Sequence, residues 1–149
     1  YRGGQLRAPT DYCIGATLDL NRDMEREARL AHRKHQAGAQ FFMTQPIFDV
    51  ADAKRFLDAF ASVAKEKLAA PVYFGLQILE QDGVIFSSVP ERVRQELEQG
   101  RSGVEIALEL HQRFQGGGLH NVYLVPPIRR GGARSYGAAR EVLAWAARL

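Results

Sequence analysis

The sequence contains a single cysteine, Cys13, and no long apolar run. One thiol forms no internal disulfide and has no companions for a zinc or iron–sulfur site, so a disulfide scaffold and a thiolate metal centre are excluded. No stretch approaches the roughly 20 apolar residues that a transmembrane helix needs. The opening segment, YRGGQLRAPT, has no hydrophobic region of a secretion signal. We therefore expect a cytoplasmic protein without a membrane partner.

A strong excess of one charge sign is also missing. The chain carries 20 Lys and Arg against 17 Asp and Glu, a net charge of +3 spread along its 149 residues. This is too little to predict nucleic-acid binding, although it suits an anionic small ligand. With 46% hydrophobic and 25% charged residues, the composition predicts a globular core.

Strand and helix patterns alternate along the chain. Gly38 ends the first helical pattern, Pro46 stops the second strand, and Asp49 is placed to cap the helix that follows. The predicted order is βαβαβααβα. Strands are predicted at residues 11–17, 41–45, 72–76 and 122–125, and helices at 22–36, 50–64, 90–98, 103–115 and 134–149.

This rhythm predicts an α/β fold with parallel strands and right-handed crossovers. The first three strands begin about 30 residues apart, which is one βα unit each, and the third unit is longer. Four strands are half of a (β/α)₈ TIM barrel, which typically has about 250 residues. The chain is therefore expected to be a fragment of a larger fold.

Several short motifs occur together in the first part of the chain. Within residues 14–60 they are AGA at 37–39, TQ at 44–45 and FD at 48–49, and the later segment HNVYLVPP begins at His120. In this order and spacing they resemble methylenetetrahydrofolate reductases. The likeness implies that residues 1–149 are one domain, the carboxy-terminal half of the family's barrel, comprising its last four βα units.

The resemblance also implies an activity. It is the reduction of 5,10-methylenetetrahydrofolate to 5-methyltetrahydrofolate by FAD and NAD(P)H, in one-carbon and methionine metabolism. The family's acid and flavin-facing carboxylate belong to its first and fourth strands, so no catalytic residue is assigned here. Expected partners are a folate substrate, the missing amino-terminal half, further copies of the chain, and a homocysteine methyltransferase domain as in the similar bifunctional enzymes.

Gln45 is the first candidate for folate binding. It stands at the carboxyl end of a strand, where barrel active sites are built, and its amide donates and accepts hydrogen bonds as a pterin ring requires. The alternative is that Gln45 only caps the loop beside Pro46. Thr44 is expected to point the other way and to serve the structure, because side chains alternate along a strand.

Three further residues are candidates for substrate binding. Phe86 is the aromatic available where the family stacks a ring on folate or nicotinamide; the alternative is that it packs in the core. Arg129 and Arg130 precede two glycines and a helix, an arrangement that favours an anion such as the folate glutamate. The alternative is a solvated basic loop.

The resemblance places cofactor contacts on the first strand and helix. Glu27 and Lys34 share one helical stripe with Arg33 beside it, and Lys34 suits a phosphate whereas Glu27 suits ribose or adenine. Ala16 and Thr17 are candidates through backbone contacts. The alternative is a solvated helix face.

Other chemically suggestive residues are interpreted as structural. His32 and His35 lie three apart without a third ligand, so we assign no metal site. GGGLH at 116–120 is expected to be a connection rather than a phosphate loop, and Asp82-Gly83 a turn. Cys13 is expected in the core.

Two other interpretations stay open. The family has a proline shortly after the glycine that corresponds to Gly75, whereas this chain continues Leu76-Gln77-Ile78, so a barrel flavoenzyme with another one-carbon substrate is one alternative. The other is a non-catalytic half-barrel binding or assembly module, since exposed sheet edges are suited to coverage by a second copy.

Overall fold

A computed structural model describes residues 11–148; residues 1–10 and Leu149, the predicted end of the last helix, lie outside the described residues. The predicted element order is confirmed. The strands are β1 (Gly15–Leu18), β2 (Phe41–Pro46), β3 (Val72–Gln77) and β4 (Val122–Val125). The helices are α1 (Met24–Gln36), α2 (Val50–Ala64), α3 (Glu91–Glu98), α4 (Gly103–Gly116) and α5 (Tyr136–Ala146).

All strand pairs are parallel, as predicted, and the sheet order β1-β2-β3-β4 follows the chain. Helical connections return the chain to the same end of the sheet each time. Among the described helices, none is long and apolar enough to cross a membrane.

The two faces of the sheet differ in burial. On one face, side chains from the strands and helices form the core, which includes Leu18, Phe42, Phe56, Phe60, Phe74 and Leu76. The other, which we call the open face, carries Thr17, Met43, Tyr73, Gly75 and Tyr123, whose positions are matched across the strand pairs. Tyr73 on this face is 39% exposed. Helices therefore cover one face of the sheet, and described residues leave much of the other accessible.

Several element boundaries differ from the prediction, and the last helix α5 ends at Ala146 rather than at residue 149. β1 begins at Gly15 rather than residue 11, and α1 at Met24 rather than residue 22, because the Asp23 carboxylate caps the amide of Arg26. β2 includes Pro46, and α5 begins at Tyr136 because Arg134 forms a bridge with Ile128.

Other expectations concern single residues. The Asp49 carboxylate accepts from the Ala51 amide, so the predicted cap of α2 is confirmed. Cys13 is exposed, and the expectation of a core position is wrong, because it precedes the first strand rather than lying within it.

Candidate functional site

The carboxyl ends of the four strands meet at one edge of the sheet because the strands are parallel. We call this side the carboxyl edge; it comprises the strand ends and the loops at 19–23, 47–49, 78–90 and 126–135. In open α/β sheets and in barrels, ligands bind at this edge. Six of the nine candidate residues lie on the strands or on the loops of this edge. The other three, Glu27, Arg33 and Lys34, lie on α1, and among them Lys34 bonds the Thr17 carbonyl of β1.

Gln45 lies at a bulge in β2. Met43 pairs with Tyr73 and Pro46 with Gly75, so β2 has one more residue than β3 between these pairs. The buried Thr44 hydroxyl accepts a hydrogen bond from the Gly75 amide at 3.0 Å, which confirms its predicted structural role. The half-buried Gln45 side chain makes no hydrogen bond to the residues that the structure describes. Its amide is therefore available to a ligand.

Tyr123 supports the same bulge from β4. Its hydroxyl crosses β3 and donates to the Thr44 carbonyl at 2.5 Å, and burial raises the pKa of this phenol, which keeps it a donor. A Cβ on Gly75 would lie 2.7 Å from the Tyr123 hydroxyl oxygen and 3.0 Å from the Cα of Pro46. Glycine is needed here because the tyrosine passes over it.

A buried glutamine holds the loop after β3. Gln77, only 2% exposed, donates from Nε2 to the Val84 carbonyl at 2.7 Å and accepts from the Phe86 amide at 3.3 Å. Phe86 is 50% exposed, so it does not pack in the core and its ring is accessible at the carboxyl edge. Sequence reasoning noticed the altered strand end but missed this contact; the available signal was one polar residue inside the apolar run 72–79.

The two arginines line an open cleft of about 450 Å³ together with Glu80, Gln81 and Asp82. Arg129 pairs with Glu80 at 3.1 Å, whereas Arg130 makes no ion pair with a described residue. The predicted turn at Asp82 is confirmed, since the Gly83 amide donates to the Glu80 carbonyl at 3.0 Å. Arg130 is therefore the accessible cation of this cleft. Arg129 could bind an anionic ligand only by giving up, or sharing, its ion pair with Glu80.

The residues expected to contact a cofactor form a small network at the end of β1. Glu27 is 3% exposed and accepts from the Asp19 amide at 3.1 Å, and its carboxylate lies 4.0 Å from Lys34 Nζ. Lys34 donates to the Thr17 carbonyl at 2.6 Å. Glu27 therefore holds the β1–α1 loop from inside, while Lys34 remains partly exposed at the carboxyl edge.

The remaining candidates on this side are separate from that network. Ala16 packs against the hydrophobic core, and Arg33 is exposed on α1 without a hydrogen bond to a described site residue. The two histidines of α1 have structural contacts: His32 packs edge-on against Phe60 with ring centres 5.9 Å apart, and His35 Nδ1 lies 3.2 Å from the Ala39 carbonyl.

Comparison with known proteins finds a likeness in structure. No family model matches the chain, and no curated protein matches it. The fold is similar to that of a solved structure described as an uncharacterized protein from Clostridium thermocellum that binds two copies of 5-methyl-5,6,7,8-tetrahydrofolic acid. The TM-score is 0.61 at 17% identity, over 90% of this chain and 52% of that one. The chain thus spans about half the length of the structure that it matches.

Proposed function

We propose that this chain is the carboxy-terminal half of a (β/α)₈ barrel that binds a reduced folate at its carboxyl edge. The single observation that carries the proposal is the Gln45 amide at the end of β2, which bonds none of the described residues, in a fold similar to that of a protein that binds 5-methyltetrahydrofolate. β1 and β4 are the outer strands of the described sheet, and the open face is accessible. Further βα units of a barrel would pair with both strands and cover that face.

The carboxyl edge offers one group for each part of a folate. A pterin presents donors and acceptors along one edge of a planar ring, which the Gln45 amide complements. Phe86 offers an exposed ring for stacking, and Arg130 offers a cation for the glutamate tail. The neighbouring Arg129 would strengthen this contact if its guanidinium left the Glu80 carboxylate and bound the carboxylate of the ligand.

The finer proposal is that the complete barrel is an FAD-dependent methylenetetrahydrofolate reductase using NAD(P)H. FAD would supply hydride transfer when bound. At the end of β1, the Lys34 ammonium retains donors beyond the one given to Thr17 and suits a phosphate, with exposed Arg33 on the same helix. Glu27 holds the β1–α1 loop, so we leave it out of the proposed cofactor contacts, whereas Ala16 and Thr17 stay proposed contacts through their backbone.

A paired substitution tests folate binding. Gln45→Ala removes the amide at the carboxyl edge. Gln40→Ala removes the same side chain immediately before β2, at the opposite edge, where it accepts a hydrogen bond from the Ile14 amide, so circular dichroism checks that this control is folded. In the full-length protein, the Kd for 5-methyltetrahydrofolate is expected to rise by about 2- to 13-fold for Gln45→Ala, the equivalent of one neutral hydrogen bond, and to stay unchanged for Gln40→Ala. Isothermal titration calorimetry measures both. Equal effects, or no binding by the unsubstituted protein, would contradict the proposal.

The accessible open face favours a second arrangement as well. Phe41 and Tyr73 form an edge-to-face pair with centres 6.0 Å apart, beside an apolar cleft of about 460 Å³. A non-catalytic module would cover these rings with a second copy of the chain, giving a homo-oligomer. Light scattering of the unsubstituted protein and of a Tyr73→Glu variant separates the two arrangements. A dimer that is lost in the folded variant uses this face, which would exclude the barrel, whereas a dimer that persists uses another surface.

A further inference from the structure

Gln77 is a polar side chain in an apolar place. It is the last residue of β3 and is only 2% exposed, and the adjacent Leu76 and Ile78 are also buried. Burying an amide is unfavourable unless its donor and its acceptor both find partners. Both do so here, and both partners belong to the same loop. The Gln77 side chain therefore ties the end of β3 to this loop.

The bonding pattern resembles the edge of a strand. Gln77 bonds the carbonyl of Val84 and the amide of Phe86, two residues apart, as a neighbouring strand would. From the other side, the Val84 amide donates to the Ile128 carbonyl at 2.7 Å. The segment 84–86 is thus held between the end of β3 and the loop after β4.

Three apolar side chains of this hydrogen-bonded segment are partly exposed to solvent. Val84, Ile85 and Phe86 are 39%, 40% and 50% exposed. A contiguous apolar patch on a fixed backbone at the carboxyl edge is typical of a ligand-contacting surface. The adjoining cleft carries Arg130, so an aromatic wall and a cation lie on neighbouring loops.

We propose that Gln77 is a positioning residue that fixes segment 84–86 and so presents Phe86 as a rigid wall for a planar heterocyclic ring. The identity of that ring as a pterin rests on the proposed function. The fixed loop itself rests on the three hydrogen bonds to residues 84 and 86.

The test uses a tryptophan reporter in the full-length protein. Trp145 is the only tryptophan in the chain, so Trp145→Phe with Phe86→Trp places one reporter of this chain on the loop. Gln77→Met keeps the side-chain length and removes both hydrogen bonds. Gln99→Met is the matched control, because Gln99 is exposed at the end of α3. Acrylamide quenching of the reporter is expected to rise about twofold or more with Gln77→Met and to stay unchanged with Gln99→Met.

The second measurement asks whether Gln77 acts through Phe86. Titration with 5-methyltetrahydrofolate is carried out for Gln77→Met, Phe86→Ala and the double variant, with the native tryptophan retained. Each single substitution is expected to raise the Kd by about 2- to 13-fold, the equivalent of one stacking contact, and the double variant no further. Circular dichroism checks folding, and Gln77→Glu, which keeps the shape but loses the donor, replaces Gln77→Met if that variant does not fold.

The outcomes separate the inference from the proposed function. Unchanged quenching in the Gln77 variant would overturn the inference, as would fold-changes that multiply in the double variant. Absence of 5-methyltetrahydrofolate binding by the unsubstituted protein would overturn the proposed function together with the role of Phe86 as a pterin wall. Increased quenching with non-multiplying effects on the Kd supports the inference.

Discussion

Gly75→Ala is the substitution whose cost follows most directly from the structure. The new methyl group would lie 2.7 Å from the Tyr123 hydroxyl oxygen, 2.9 Å from its Cζ and 3.0 Å from the Cα of Pro46. The first two contacts belong to a side chain that can move, whereas the third belongs to backbone. Relief therefore requires the ring of Tyr123 to leave the Thr44 carbonyl or β2 to shift.

Two effects set the magnitude. Overpacking of a well-packed site costs about 1–3 kcal/mol, and loss of the Tyr123 hydrogen bond to Thr44 costs about 0.5–1.5 kcal/mol. We expect Gly75→Ala to lower the free energy of unfolding by about 2–4 kcal/mol. Because Tyr123→Leu removes the crossing ring, Gly75→Ala is expected to cost at least about 1 kcal/mol less in that background.

Urea unfolding followed by circular dichroism measures these differences. Gly137→Ala is the control, since a Cβ at Gly137 meets nothing within 4 Å and alanine favours the helix α5. It is expected to be neutral or to stabilise by up to about 1 kcal/mol. A Gly75→Ala cost below about 0.5 kcal/mol, or the same cost with Tyr123 and with leucine, would refute the reasoning.

Three further predictions concern the ligand, the activity and the pH dependence. Arg130→Gln in the full-length protein should weaken 5-methyltetrahydrofolate binding by about 1.5–3 kcal/mol and leave the binding of a pterin without glutamate unchanged. Calorimetry with both ligands measures this, and equal weakening of the two would contradict a contact between Arg130 and the glutamate tail. Arg129→Gln should weaken it less, because Arg129 already pairs with Glu80. The 149-residue chain alone should not oxidise NAD(P)H with added FAD and menadione, and turnover of about 1 per second or faster would contradict this. Burial lowers the pKa of His111 in α4 below its usual value of 6.5, so the folded state binds a proton there less readily than the unfolded state. The free energy of unfolding should therefore fall as the pH falls below about 6.5. In urea unfolding at pH 5 and pH 7, His111→Gln should reduce this difference in stability, and an unchanged difference would assign it to other groups.

The order of the elements was predictable because it depends on local patterns. Glycine and proline mark the element ends, and Asp49 caps α2 as its position before an amphipathic stretch indicated. The direction of Thr44 followed from strand alternation alone. The exposure of Cys13 did not follow, because residues 11–14 read as strand although β1 begins later.

The contacts that shape the candidate site were not predictable, since each joins distant parts of the chain. The Tyr123 hydroxyl bonds a carbonyl 79 residues away, and no local pattern in β2 or β4 requires this. Glu27 was correctly placed on the stripe of α1 with Lys34, but only the fold shows that its carboxylate bonds the Asp19 amide. The one-residue bulge that separates Thr44 from Gln45 likewise depends on the register with β3.

The central claim is that a reduced folate binds at the carboxyl edge of this sheet. Amide hydrogen exchange of the full-length protein, followed by mass spectrometry with and without 5-methyltetrahydrofolate, tests it directly. The account predicts that the ligand slows exchange in the segments 44–48 and 80–88, which contain the β2 bulge and the loop held by Gln77. Slowing confined to the opposite edge, at residues 12–15 and 40–43 beside the apolar cleft, or no slowing at all, would contradict it.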